Sequence, residues 1–164
     1  RKGHTRADVV EALRICDEAG IALRPSLLPF TPWTTLDDYL ELLGFIEEEE
    51  LIEHVDPVHL SIRLLIPPGS ALLEQPDIQP YLGALDEANF TYTWRHPDPR
   101  MDALQRAVAA LAEQATREQW DPYRTFAAVR ELAYRTAGRT PPAEPPRQRR
   151  KRPAPPRLTE SWFC

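Results

Sequence analysis

Cysteine is nearly missing from this sequence: Cys16 and Cys164 are the only two. A disulfide framework or a zinc-ligand set needs more sulfur at closer spacing, so neither is available, and a reducing compartment suits the chain. No apolar run approaches the roughly 20 residues that cross a bilayer, and no charged start followed by an apolar stretch opens the chain as a signal peptide would. These absences predict a soluble, cytoplasmic protein with no membrane partner. Histidine is also sparse, with four residues. His4 and His54 have no metal spacing with Cys, Asp or Glu, and no metal ligand set is expected in this chain.

What the chain does have is charge, unevenly placed. Residues 139–164 hold seven basic side chains (Arg139, Arg147, Arg149, Arg150, Lys151, Arg152, Arg157) against Glu144 and Glu160, so a chain of net −5 is an acidic body near −10 carrying an arm near +5. The arm also holds seven of the 18 prolines, which forbid a regular helix or central strand there, and it is almost without apolar residues before Leu158. Residues 139–157 therefore read as a disordered or extended linker and 158–164 as a terminal Trp-Phe-Cys tail. The remaining residues are enough for one ordinary domain, short for a closed eight-stranded barrel. Starting at Arg1 with a helix almost at once, the chain is expected to be part of something larger.

Helices are marked by their ends. Thr5 with Asp8 predicts a capped start for a helix over about 6–19, with Val9, Ala12, Leu13 and Cys16 as its apolar stripe and Gly20 as its stop. Pro32 and the pair Thr34/Thr35 start a second helix that turns Leu36, Tyr39, Leu40, Leu43 and Ile46 inward and ends near Glu50. Its Glu47–Glu50 run reads as a solvated face. Asp98-Pro99 and Asp121-Pro122 each put a cap ahead of proline at the first helical position, predicting helices over about 99–118 and 122–136 that pair antiparallel. Between the helices, Ile21–Leu27 and Val58–Ile66 alternate like strands, and Phe90, Tyr92 and Trp94 alternate onto one side of a third. No internal repeat is apparent.

In the second strand His59, Ser61 and Arg63 share the face opposite Leu60, Ile62 and Leu64; in the first, Arg24 and Ser26 share one face. A parallel layer buries both faces of its strands, so polar side chains there line a site or pair with acids of the same layer. Ser26, His59 and Ser61 are the candidate substrate contacts. Arg24 and Arg63 suit a carboxylate because a planar fork binds two oxygens at once.

The segments RKGHTRADVVEALRICDEAGI, LRPSLLPFTPWTTLDDYLELL and HLSIRLLIPPGSALL, followed by FTYTWRHPDPRMDALQ, resemble the C-terminal part of radical S-adenosylmethionine (SAM) enzymes. More narrowly, they are similar to the CUAEP/CCAEP-tail radical SAM proteins, whose chains end in an aromatic-rich segment and Cys-Sec-Ala-Glu-Pro or Cys-Cys-Ala-Glu-Pro; this sequence ends TESWFC. The resemblance implies an α/β fold: a partial (β/α) barrel over residues 1–95 with a helical C-terminal extension over 96–138. It implies reductive cleavage of SAM at a [4Fe-4S] cluster, an electron donor, and a small-molecule or peptide substrate whose identity is not given. By match of position, Thr31, Pro32, Thr34, Leu65, Ile66 and Pro67 would contact SAM, and Arg24 and Arg63 would join them as forks for a carboxylate. Cys164 would be the tail thiol, the first member of a Cys-Sec pair if a UGA codon follows.

One departure is decisive for this piece. The CxxxCxxC loop, whose three thiolates hold the cluster, is missing, and Cys16 and Cys164 cannot replace it. The loop is expected upstream of Arg1, and this piece alone is expected to hold no cofactor and be inactive. The competing reading is a non-enzymatic interaction module using RQRRKRP for nucleic acid or an anionic partner. An acidic body repels phosphate and no aromatic is interleaved with the cations, so nucleic acid is not the expected partner.

Overall fold

The computed structural model describes residues 3–143. The linker beyond 143, the terminal tail and Cys164 lie outside the described residues. Four α-helices dominate: α1 (Arg6–Glu18), α2 (Leu36–Glu48), α3 (Pro99–Arg117) and α4 (Pro122–Thr136), with an antiparallel hairpin of β1 (Leu82–Asp86) and β2 (Thr91–Trp94) before α3. The chain is thus mixed α/β.

All four helix starts follow from their caps. Thr5 and Thr35 each accept from the third helical backbone N–H while Asp8 and Asp38 reach back to the cap, a reciprocal box worth about 1 kcal/mol per helix. The Asp98 and Asp121 carboxylates accept from the first free amides of α3 and α4, with proline already at the position that needs no donor. Gly20 stops α1 at φ +66°, a backbone region closed to most side chains. The five residues expected to face inward from α2 are all buried, with Leu43 and Ile46 at 0 % exposure.

The helical extension shares its core with the first part of the chain. Met101, Leu104 and Val108 of α3 and Phe126 and Val129 of α4 pack in one cluster with Phe30, Tyr39 and Leu43.

The strand expectations need correction. Val58–Ile66 is not one strand: Pro57–Leu60 forms a 3-10 turn, with His59 N–H donating to the Asp56 carbonyl at 2.9 Å and Ser61 N–H to Val58 at 3.0 Å. Asp56-Pro57 is a turn-starting pair, and its signal outweighs the alternation that follows. The 21–27 segment forms no strand either, and among the described residues 22–29 make no backbone–backbone hydrogen bond. Pro25 and Pro29 each remove a donor a ladder would use. What remains is one parallel bridge, Phe30 with Arg63, made by Phe30 N–H to the Ile62 carbonyl (3.2 Å) and Leu64 N–H to the Phe30 carbonyl (2.8 Å). No barrel is formed among the described residues. Phe90 also leaves its expected face. It sits at φ +51° in the hairpin turn, 67 % exposed, while Trp94 is buried with Ile66 and Ile78 in a second, smaller cluster.

No helix among the described residues is long and apolar enough to cross a membrane.

Candidate functional site

The Phe30–Arg63 bridge is where the polar residues of the chain converge. The Arg63 guanidinium, half-buried, donates through Nη1 to Asp102 Oδ1 and through Nη2 to the Trp94 carbonyl, both at 2.6 Å, and lies 3.5 Å over the Trp94 ring. Trp94 Nε1 in turn donates to the Leu64 carbonyl at 2.8 Å, next to Arg63 in the chain. The other oxygen of Asp102 accepts the His96 backbone N–H at 3.1 Å. His96 then reaches the loop after the first extended segment: its Nε2 lies 2.9 Å from the Thr34 carbonyl, and its Nδ1 accepts the Asp98 N–H at 2.9 Å. With Nδ1 accepting that N–H, Nε2–H is the donor to the Thr34 carbonyl. A continuous relay thus runs from the bridge, through the first turn of α3, to the loop that starts α2.

That loop is a compact turn. Thr31 and Thr34 bond through their hydroxyls at 2.8 Å, Trp33 N–H donates to Thr31 Oγ1 at 3.3 Å, and the Trp33 indole, 43 % exposed, reaches the Asp77 carbonyl at 3.4 Å. Pro32 is buried below it. Of the residues proposed to contact SAM, Thr31, Pro32, Thr34 and Arg63 therefore meet in one place. Leu65 is exposed at 70 % and Pro67 is exposed, whereas Ile66 is fully buried against Ile78 and Trp94.

A second polar group lies along the same layer. The Arg24 fork holds the Asp56 carboxylate with Nε–H at 2.8 Å to Oδ2 and a second contact to Oδ1. Ser26 Oγ is 3.4 Å from His59 Nδ1 at the surface. Ser61 is turned away and donates to the Val58 carbonyl at 3.0 Å. Both arginine forks are thus engaged by acids of this chain, the alternative that the sequence left open.

The sequence did not single out Asp102. Its only signal was a carboxylate in the first turn of a capped helix, a position that the helix dipole explains by itself. His96 occupies the loop before α3. Asp98 itself is held below the usual carboxylate range, first by the Arg100 side chain and then by the Arg100 backbone N–H. Cys16 is half-buried on α1, and among the described residues no three His, Cys, Asp or Glu side chains gather as a metal site. The Arg63–Asp102–His96 group is suited to shaping and holding the loop that carries the Thr31 and Thr34 hydroxyls and the Trp33 indole.

Compared with known protein families, with curated proteins and with solved structures, the chain finds no match.

Proposed function

We propose that this chain is the C-terminal part of a radical SAM enzyme that cleaves SAM reductively at a [4Fe-4S] cluster held by residues upstream. The observation that supports the reading is the order helix, extended segment, helix, extended segment, joined by a parallel bridge across α2. A parallel pair needs a crossover, and a helix as crossover is the repeating unit of a (β/α) barrel. Around that bridge Leu28, Trp33 and Leu65 are exposed, apolar surface that further strands of a barrel would cover.

In this reading Thr31, Pro32, Thr34, Leu65 and Pro67 border the SAM pocket. Arg63 is a positioning residue: through Asp102 and His96 it fixes the Thr34 loop. Arg24 does the same for the turn at Asp56. SAM and the cluster would supply the radical chemistry when bound; the residues around the bridge orient the loop. Cys164 remains a proposed tail thiol, and Ser26 and His59 the proposed substrate contacts.

The intact product of the gene, purified anaerobically and reduced, tests this. Iron and sulfide near four each per chain, with an EPR signal of a reduced [4Fe-4S] cluster that SAM perturbs, support the reading. An intact product without a three-cysteine loop, or one without iron after reconstitution, rejects it.

A further inference from the structure

α3 and α4 follow each other across a short turn and pack side by side. An open groove of about 490 Å³ runs between them, and every residue that lines it belongs to these two helices. Ala107 and Ala110 of α3 and Ala128 of α4 keep its walls low, and Leu111 and Leu132, both half-buried, complete its apolar lining. A helix face that meets only water carries charged and polar side chains. Here alanine stands instead, beside the stripe of Leu104, Val108, Ala112 and Ala115 that is already buried.

Two side chains give the groove its charge pattern. Glu131 and Arg135 line it four residues apart on α4, both exposed, and among the described residues neither has an ion-pair partner. The face therefore presents one carboxylate and one guanidinium, about 6 Å apart along the helix, to whatever covers it. A surface with one charge of each sign is complementary to itself when a two-fold axis reverses it. The rest of the body points the same way. α1 has four carboxylates and two arginines and α2 five carboxylates and no cation, whereas α3 and α4 together have six arginines and three carboxylates. Two acidic bodies repel each other least when they approach on this side.

We infer that this groove is the contact face between two copies of the chain, which pack there as an antiparallel four-helix bundle. With the two-fold axis crossing the helices at the level of Leu132, Glu131 of one copy and Arg135 of the other lie about 3 Å apart along the bundle, within reach of each other, and symmetry makes the pair twice. Alanine at the seam lets the facing helix axes approach to about 8 Å, the close end of the usual range. The face is about 25 Å long and two helices, or about 20 Å, wide, so the two copies together bury about 1,000 Å², the lower bound for a specific interface. The dimer is therefore weak, with a Kd on the order of 10–100 μM. The inference goes beyond the radical SAM reading and does not depend on it, since none of the groove residues belongs to the relay at the Phe30–Arg63 bridge.

Sedimentation velocity of the full chain from about 5 to about 300 μM tests this, and a reversible monomer–dimer equilibrium that moves across that range is expected. Ala110→Glu, at an exposed position that leaves the core alone, should give monomer only. E131R and R135E should each weaken the dimer at least about tenfold, because each sets like charges against one another at both symmetric contacts. Mixed in equal amounts, the two variants should associate again, since each then supplies the sign that the other needs. Circular dichroism melts that match the parent exclude a folding loss at these surface positions. A chain that stays monomeric throughout, assemblies larger than a dimer, a dimer that A110E leaves intact, or E131R and R135E that fail to associate on mixing would each overturn the inference.

Discussion

Replacing Arg63 by methionine separates a positioning arginine from one held open for a ligand. The methionine keeps most of the apolar stem and removes the cation. Asp102 then loses its 2.6 Å partner, the Trp94 carbonyl loses its donor, and the indole loses a guanidinium stacked at 3.5 Å. Breaking a fully buried pair costs about 3–5 kcal/mol, but here the side chains are 26 % and 16 % exposed and Asp102 keeps the His96 N–H, which lowers the expected cost to about 2–3 kcal/mol. With a urea slope of about 2 kcal/mol/M for a domain of this size, the unfolding midpoint should fall by about 1–1.5 M. Asp102→Asn should fall by a similar amount, and the double variant by clearly less than the sum, with a coupling of at least about 1 kcal/mol. A midpoint within about 0.3 M of the parent in R63M would refute the reasoning, for it would mean that the fork is not engaged by this chain.

Other positions make independent predictions. Thr35→Ala should cost about 1 kcal/mol at neutral pH. Asp38 is held below the usual carboxylate range by the Thr35 backbone N–H and then its hydroxyl, so its stabilisation is present above about pH 4 and lost as pH falls through the folded value; the variant should show a shallower acid loss in pH-dependent melts. Tyr39→Phe removes the hydroxyl that donates to the Leu60 carbonyl at 2.8 Å and should cost about 1–2 kcal/mol by urea titration. Burial also pushes the Tyr39 phenol up, so its contribution is present below about pH 10 and lost above it, an alkaline slope that the phenylalanine variant should lack. Gly83→Ala would place a Cβ 2.4 Å from Thr93 Oγ1, which now donates to the Ala84 carbonyl; a cost of about 1–2 kcal/mol is expected in thermal melts, largely relieved by adding Thr93→Ala.

The helices were legible in the sequence because their signals are local. Thr5, Thr35, Asp98 and Asp121 each announce a start within four residues, and α4 spans Pro122–Thr136 as the cap and stripe predicted. The strands were not, because alternation is a weaker signal than turn chemistry. At Asp56-Pro57 a turn took residues that alternate, and at Pro25 and Pro29 missing donors left an extended segment without a ladder. Arg63 was visible as a buried charge needing a partner, but the partner was not: Asp102 lies 39 residues away on a helix, and nothing local marks an acid as reserved for a distant arginine. The same holds for Arg130 of α4, which only the fold sets beside Glu47 of α2 and the Pro142 carbonyl.

The central proposal is tested most directly by product analysis. The intact gene product, anaerobically reconstituted and reduced with dithionite, is incubated with SAM and followed by chromatography and mass spectrometry. The account predicts 5′-deoxyadenosine and methionine in equal amounts, formed only with reductant. SAM recovered unchanged from a protein that holds a full cluster would contradict it.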